Sequence, residues 1–185
     1  MQRKPSFEEY REVGDCFKIV CRKTTHLYVR LANIFGVEAL EPLYKADRKI
    51  NKVRSKLEDC MCGEYPGKSS QEILSVFYGG EKTEIKQLED IPESIQHNEL
   101  TFEQYKEIGN ELKMLEKSIQ RLATKAYKLH GKTIIRGLLD LCAGSQLIEL
   151  SGNLQIIEFN DLRNKGYSMN ELDNVFWGSL TESVF

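Results

Sequence analysis

The sequence predicts an all-α protein built by tandem duplication of a three-helix unit, which consists of two long helices in a hairpin plus one short capped helix. Two observations carry this prediction. Residues 67–79 return as residues 166–178 in the shared pattern G-x-S-x-x-E-[I/L]-x-x-V-F-[Y/W]-G. Residues 6–15 return as residues 101–110. Two matches in the same order, at offsets of 99 and 95 residues, indicate an internal repeat.

We expect the two units to pack about an approximate internal two-fold axis, because each has an apolar seam that is too extensive to leave in water. The first unit is residues 1–80 and the second is residues 101–185. An acidic connector with one short helix, residues 81–100, joins them and has six acidic and two basic residues. A single compact domain is favoured. The alternative is two separate three-helix domains on a flexible connector.

The first unit begins with a capping box formed by Ser6 and Glu9. Its first long helix has apolar residues at alternating spacings of three and four, and Gly36 is suited to end it. The second long helix begins near Glu38 and keeps the same alternation. The first seam contains Tyr10, Val13, Phe17, Val20, Thr24, Leu27, Leu31 and Ile34. The second seam contains Leu43, Ala46, Ile50, Val53, Leu57 and Cys60.

The second unit repeats these signals. Thr101 with Gln104 begins its first long helix, and Gly131 ends it where Gly36 ends the earlier one. The seam of this helix contains Phe102, Tyr105, Ile108, Leu112, Leu115, Ile119, Leu122, Ala126 and Leu129. The short helices of the two units are predicted by the capping boxes Ser69 with Glu72 and Ser168 with Glu171. Their apolar faces are predicted to close the ends of the hairpins.

Residues 147–159 leave alternatives open. The run Ser151-Gly152-Asn153 between two apolar stretches suits a hairpin, whereas the repeat favours more helix. We expect helix to about Leu150 and irregular structure beyond it. The counterpart of the second long helix, residues 138–150, has no Lys or Arg. It is therefore predicted to be buried in the core, while the second long helix of the first unit lies at the surface.

Composition limits the class of protein. The 185-residue chain is 41% hydrophobic, and its formal net charge of −2 does not by itself imply a polyanionic partner. No apolar run is long enough to span a bilayer, and the first residues lack the apolar segment of a signal peptide. The five cysteines, an odd number, predict reduced thiols. We expect a cytoplasmic protein with no cofactor and no membrane partner.

Gly67-Lys68-Ser69 is similar to the end of a phosphate-binding loop. The spacing does not fit, because the first glycine of that motif would stand at position 62, which is Cys62. The second copy also replaces the lysine by Tyr167. A helix-capping turn is the better interpretation.

Cysteine and histidine side chains invite a metal hypothesis. Cys16, Cys21 and His26 follow one another at steps of five, which spreads them around a helix rather than along one face. Cys60 and Cys62 lack the C-x-x-C spacing of zinc sites. Buried reduced cysteines, with no metal site, are the better interpretation.

Acidic pairs one helical turn apart are typical of metal-dependent all-α hydrolases. Such pairs are Glu9 with Glu12, Glu38 with Glu41 and Glu81 with Glu84. In a chain this rich in Glu such pairs are expected by chance. Acidic residues in the first turn of a helix also complement the helix dipole. The histidines, His26, His97 and His130, have no sequence context that marks a catalytic base. The catalytic residues, if there are any, stay unknown.

One charge pattern is sharper. Five cations fall within a narrow arc of the second long helix and form a basic face: Lys45, Arg48, Lys49, Lys52 and Lys56. The helix that should pair with it adds Arg22, Lys23 and Arg30. A second basic row follows acidic residues on one helix and is interpreted as a solvated face: Lys117, Arg121, Lys125, Lys128 and Lys132.

These observations favour a non-enzymatic intracellular helical module for protein–protein interaction or regulation, with a protein as its partner. The first alternative is a nucleic-acid-binding protein that uses the basic face. The second is a metal-dependent all-α hydrolase with carboxylates between helices. Whether the chain is an enzyme is left open, with a non-enzyme favoured.

Overall fold

The computed structural model describes residues 3–79 and 96–178, and all regular structure within these ranges is helical. The predicted all-α class is therefore confirmed. The helices are α1 (Phe7–Phe35), α2 (Glu41–Glu64), α3 (Ser70–Phe77), α4 (Phe102–Ile134), α5 (Arg136–Cys142), α6 (Ser145–Leu162) and α7 (Met169–Trp177). Single 3-10 turns occupy Glu38–Leu40 and His97–Glu99. In the two described ranges no helix is both long and apolar enough to cross a membrane. The short helix predicted in the connector falls on residues 80–95, which lie outside the described residues.

The four predicted capping boxes are confirmed. In each one the hydroxyl of the N-cap residue accepts from the backbone N–H three residues later, and the side chain at that position accepts from the N-cap backbone. The N-cap residues are Ser6, Ser69, Thr101 and Ser168. These caps fix where α1, α3, α4 and α7 begin.

Two glycines stop the long helices α1 and α4. Gly36 has φ 78° and ψ 160° and caps α1. Gly131 has φ 68° and ψ −169°, so its conformation is close to that of Gly36. Positive φ is readily available only to glycine, which explains the residue type at both positions. Helical turns resume after Gly131 as far as Ile134, so this glycine makes a kink rather than an end.

The predicted seams form the core. The apolar residues predicted for α1 and α4 are buried, except that Ile34 and Phe102 are partly exposed at the ends of the seams. In α2 the last predicted position, Cys60, is only partly buried, and Met61 takes its place in the core. The helices α1 and α4 pack against each other, with α2, α5 and α6 completing the bundle.

The prediction of irregular structure beyond Leu150 is wrong. The helix α6 runs from Ser145 to Leu162 without a break, so residues 147–159 are helical. Its buried residues follow helical spacing, and they are Leu147, Leu150, Ser151, Leu154, Glu158 and Leu162. Packing along this row outweighs the low helix propensity of Gly152. The break comes earlier, at Gly144, whose φ of 94° separates α5 from α6.

The prediction that residues 138–150 are buried in the core holds only in part. The side chain of Ile148 is 55% exposed, and further along α6 that of Ile156 is 64% exposed. Both α2 and α6 thus have one face in the core and one face in solvent. Apolar composition alone suggested full burial, but a helix at the edge of a bundle keeps a solvent face whatever residues it carries.

The short helices α3 and α7 dock onto the long helices in the same way. A Cβ atom on Gly14 would lie 2.2 Å from the carbonyl oxygen of Val76, and one on Gly109 would lie 2.1 Å from that of Val175. Only glycine allows backbones to approach so closely. The apolar face of each short helix is buried, as predicted: Ile73, Val76 and Phe77 in α3, and Leu172, Val175 and Phe176 in α7.

The contacts between α1 and α4 recur at a fixed spacing in the sequence. The ring of Tyr10 packs on His130 with centroids 5.5 Å apart, and the ring of Phe35 packs on Tyr105 with centroids 6.2 Å apart. Tyr10 and Tyr105 are 95 residues apart, and so are Phe35 and His130. The two helices are therefore antiparallel, with the start of each one against the end of the other.

Polar contacts along the same two helices follow the same spacing. Lys125 forms an ion pair with Glu12 at 2.9 Å, and Arg30 forms one with Glu107 at 3.3 Å. Adding 95 to Glu12 and Arg30 gives Glu107 and Lys125. Midway between these pairs, the Lys23 ammonium donates to the Ser118 hydroxyl at 3.0 Å. Lys23 and Ser118 are themselves 95 residues apart.

Candidate interaction surfaces

The predicted basic face lies along one side of α2. Lys45, Arg48, Lys52 and Lys56 are exposed, and Lys49 is partly buried. Lys45 pairs with Glu41 at 3.0 Å, and Lys49 donates to Gln146 at 2.9 Å. In residues 3–79 and 96–178 the other three cations have no ion pair. They follow one another at four-residue spacing, which places a straight row of unpaired positive charge on the surface.

The expected contribution of α1 to this face is corrected by the structure. Lys23 donates to Ser118, and Arg30 pairs with Glu107 and Glu111, so both side chains are directed at α4. The sequence places these cations on a helix that contacts α2, but it does not show that α1 pairs with α4 as well. The long-range α1–α4 contact determines where they point.

Several surface depressions lie along the α1–α4 contact, and the two that adjoin at its centre are together called the central groove. The first has a volume of about 310 Å³, and its wall includes Ile19, Lys23, Ser118 and Arg121. The second has a volume of about 270 Å³, and its wall includes Arg22, Lys23, His26 and Met114. Lys23 lines both depressions, so they adjoin at the centre of the helix pair.

The central groove exposes two large apolar side chains. Ile19 is 50% exposed and Met114 is 49% exposed. They are 95 residues apart in the sequence and stand on opposite sides of the Lys23–Ser118 hydrogen bond. Each lies four residues, or about 6 Å, from that centre, so their positions along the helix axes differ by about 12 Å.

The acids of the central groove are all paired. Glu12 binds Lys125 at 2.9 Å, Asp15 binds Lys18 at 3.0 Å, and Glu111 binds Arg30. Within the described ranges, Arg22 and Arg121 have no ion pair. The groove therefore has unpaired positive charge beside its exposed apolar side chains. Arg121 belongs to the row interpreted from the sequence as a solvated face, and the structure places it on the wall of the groove.

A further polar cluster lies where α6 meets α4. Asp161 accepts from the Tyr105 hydroxyl at 2.6 Å and contacts His97 Nδ1 at 2.9 Å. The corresponding cluster at the other end of the bundle joins Tyr10 with Glu64 at 3.2 Å and with His130. Burial, with the nearby carboxylates, raises the pKa of both tyrosine hydroxyls, so these groups are donors at neutral pH.

Glu158, one turn before Asp161, was not singled out from the sequence. Its side chain is fully buried, and neither carboxyl oxygen has a hydrogen-bond partner. Burial, together with the charge of Asp173, raises the pKa of Glu158 to about 8. The sequence alone does not mark it, because irregular structure is expected beyond Leu150. Only the observed helix α6 places residue 158 on an apolar row where a charged residue is out of place.

Several side chains considered for catalysis and metal binding have structural contacts. Glu9 caps α1 through Ser6, and Glu12 pairs with Lys125. The pair Glu81 and Glu84 lies outside the described residues. In the part of the chain that is described, no group of three or more His, Cys, Asp or Glu side chains is placed to hold a metal ion. The five cysteines are free thiols, but the expectation that they are buried is wrong, because Cys62 is exposed and the other four are only partly buried.

The turn at Gly67-Lys68-Ser69 caps α3. The Ser69 hydroxyl accepts from the backbone N–H of Glu72, and the Glu72 carboxylate accepts from Lys68 at 2.8 Å. Hydrogen bonds from Lys68 and from the Ser69 backbone lower the pKa of Glu72 to about 2. The lysine is thus engaged with the cap of its own helix, in agreement with the interpretation from spacing.

Comparison with known proteins assigns no function to these surfaces. The chain matches no protein-family model, and no curated protein or solved structure is similar enough to be matched.

Proposed function

We propose that this protein is a non-enzymatic helical module for protein–protein interaction or regulation, made by tandem duplication of one three-helix unit. In this proposal the units α1–α2–α3 and α4 to α7 form one compact domain about an approximate two-fold axis. The recurring contacts support it. A two-fold arrangement requires that if Tyr10 meets His130, then their counterparts Tyr105 and Phe35 also meet. The ion pairs of Glu12 and Arg30 follow the same rule.

The Lys23–Ser118 hydrogen bond locates the proposed axis. In a two-fold assembly a residue can contact its own counterpart only beside the axis. Lys23 and Ser118 are counterparts at the offset of 95 and are hydrogen-bonded at 3.0 Å. The axis therefore passes through the centre of the groove between α1 and α4.

Buried positions also support the duplication. Leu40, Leu43 and Ala46 of the first unit have buried counterparts at an offset of 95, namely Ile135, Leu138 and Leu141, whereas the counterpart of the buried Pro42 is the partly exposed Gly137. From Ile50 onward the offset becomes 97, and the counterparts are Leu147, Leu150, Leu154 and Glu158. The two extra residues coincide with the break between α5 and α6, so an insertion accounts for the split of one long helix into two.

The central groove is the proposed docking surface. The observation that carries this step is the exposure of Ile19 and Met114 next to the unpaired charge of Arg22 and Arg121. Removal of these apolar side chains from water lowers the free energy of a complex with a partner. The arginines around them can select that partner by its charge. The proposal includes a cytoplasmic location, and the free thiols agree with it because the cytoplasm keeps cysteines reduced.

Site-specific photo-crosslinking tests the docking surface. A photoreactive residue replaces Ile19 or Met114 in the full chain within its source cells, with Val37, which is 61% exposed, as the control position. We expect one protein to be crosslinked from both groove positions and not from position 37. That capture should disappear when Arg22→Glu and Arg121→Glu are added. Crosslinking no stronger from the groove than from position 37 would contradict the proposal.

Nucleic-acid binding through the basic face of α2 is the second candidate function. The observation that favours it is the row of Arg48, Lys52 and Lys56, which is exposed and without ion pairs in the described ranges. Phosphates at a similar spacing would meet this row directly. The groove proposal has the stronger basis, because it also accounts for exposed apolar side chains.

A further inference from the structure

We infer that the central groove takes an acidic amphipathic helix of the partner protein, with its carboxylates on the groove arginines and its apolar side chains on Ile19 and Met114. This inference rests on the proposed function and names the partner chemistry for the same surface. It follows from three features of the groove: its charge balance, the spacing of its apolar side chains and its near-symmetry.

The unpaired positive charge of the groove favours an acidic partner. The acids that line the groove are already neutralised by Lys125, Lys18 and Arg30. Arg22 and Arg121 have no such partner in the described part of the chain, and Lys23 meets only a hydroxyl. Carboxylates that approach from outside would therefore find free guanidinium groups and displace no existing pair. Arginine is well suited to this role because its planar fork binds carboxylates through two parallel hydrogen bonds.

The distance between the two exposed apolar side chains favours a helix as the partner. Ile19 and Met114 are about 12 Å apart along the helix axes, which corresponds to seven or eight residues of an α-helix. A third helix laid along the antiparallel pair α1–α4 would present apolar side chains at that spacing on one face. The two depressions, of about 310 and 270 Å³, lie on either side of Lys23 and would receive those side chains.

The near-symmetry makes one unusual prediction about the partner. Rotation about the proposed axis exchanges Ile19 with Met114 and Arg22 with Lys117, so the groove looks similar from both ends. A helix can then dock in either chain direction with similar contacts. The symmetry is broken at His26, whose counterpart is Arg121, and at Cys16, whose counterpart is Glu111. A preference of a few-fold between the two chain directions is therefore expected.

The same chemistry disfavours a phosphate backbone in the groove. Phosphates would use the arginines but would leave Ile19 and Met114 in contact with water. An amphipathic helix uses both features. Single-stranded DNA therefore serves as a competing ligand in the test.

The test uses the full chain and five fluorescently labelled helical peptides of about 20 residues, long enough to span about 30 Å. The first has Leu at positions seven apart on one face and Glu on both flanks. The second replaces Glu by Lys, the third replaces Glu by Gln, and the fourth replaces Leu by Ser. A fifth peptide is the first in reversed sequence. Affinities are measured by anisotropy, and a labelled single-stranded DNA is run beside them.

We expect the acidic amphipathic peptide to bind, its reversed form to bind within a few-fold, and the Gln and Ser forms to bind about tenfold more weakly or worse. The Lys form should not bind. Arg22→Glu with Arg121→Glu should abolish binding, whereas the charge-matched control Lys132→Glu with Lys165→Glu, both exposed, should not. Thermal melts confirm that both variants are folded.

The contrary outcomes separate the two proposals. If the Lys or Gln form binds as well as the Glu form and the groove variant abolishes it, the groove is a docking site but its partner is not acidic. If no peptide distinguishes wild type from the groove variant, the groove is not a docking site, and the surface of the proposed function is wrong as well. If DNA binds more tightly than every peptide and the groove variant abolishes it, the ligand is nucleic acid and the inference is overturned.

Discussion

The carbonyl oxygen of Val76 lies 2.2 Å from the point where a Cβ atom on Gly14 would stand, and the same relationship joins Val175 to Gly109 at 2.1 Å. A methyl group at either glycine cannot be accommodated without moving the backbone of a short helix. Overpacking of this kind typically costs about 1–3 kcal/mol, more than the helix propensity of about 1 kcal/mol that alanine offers over glycine.

We therefore expect Gly14→Ala and Gly109→Ala to lower the free energy of unfolding, by similar amounts because their surroundings match. Gly152→Ala is the control, since it lies inside α6 with open space around its Cβ position. It should be stabilising by roughly 0.5–1 kcal/mol. Urea denaturation measures all three. A stable Gly14→Ala protein would show that α3 does not pack as described.

Phe77 and Phe176 anchor the short helices. They are 0% and 4% exposed. Truncation of a buried Phe to Ala costs about 3–5 kcal/mol, which is a large share of the stability of a small domain. We expect both substitutions to lower the melting temperature strongly and Leu74→Ala, at a half-exposed position of α3, to change it little. Unchanged melting temperatures for the two Phe variants would mean that these faces are free to bind a partner.

Glu158 should make stability depend on pH. Its pKa in the folded protein is raised to about 8 from the ordinary 4.5. A group whose pKa is raised by folding gives its full contribution below pH 4.5, and that contribution is lost as pH rises towards 8, by at most about 1.4 kcal/mol per pH unit. The carboxyl of Asp173 adds to this raised pKa, and the charge of Glu158 in turn helps to raise the pKa of the Tyr105 hydroxyl.

Replacing Glu158 by Met should raise stability at pH 8 and flatten this pH dependence, because a thioether side chain of similar length has no charge to desolvate in the buried site. Glu149→Gln, at an exposed position of the same helix, should leave the pH profile unchanged. Chemical denaturation from pH 5 to pH 9 makes the comparison. Parallel profiles for wild type and Glu158→Met would show that this carboxyl is not held in an apolar site.

The second candidate function predicts salt-dependent binding of nucleic acid. Each phosphate contact releases about one condensed counterion, so affinity should fall steeply as salt is raised. Changing Arg48, Lys52 and Lys56 to Glu should remove binding and leave the fold intact, because these side chains are exposed. The charge-matched control changes three exposed cations elsewhere, and these are Lys132, Arg136 and Lys165. This candidate function would be eliminated if the protein did not bind nucleic acid at low salt, or if the α2 variant and the charge-matched control lost affinity equally.

Much of the fold could be predicted because its signals are local. The hydroxyl of Ser6 and the carboxylate of Glu9 determine the start of α1 within a single turn, and three-four spacing determines which side of the helix is buried. The position of the break at Gly131 could be predicted from the same residue type at Gly36, but not that helical turns resume after it. The region around Gly152 could not, because its helix is held by packing along the row from Leu147 to Leu162, which overrides local propensity.

The candidate site was harder to predict because it depends on contacts between distant parts of the chain. The basic face of α2 could be found from four-residue spacing on one helix. The central groove could not, because it needs the pairing of α1 with α4 and the register that brings Lys23 to Ser118. Once that register is known, the matching positions of Ile19 and Met114 follow from their separation of 95 residues in the sequence.

The central claim is that both units build one core around an axis at Lys23 and Ser118. Cleavage at a protease site introduced between residues 80 and 95 tests it most directly, with sedimentation and thermal melting of the cut protein as the readout. We predict that the two fragments stay together at the mass of the intact chain, 21.4 kDa, and unfold in a single transition, because the α1–α4 contact lies between them. Fragments that separate, each folded by itself, would contradict the account.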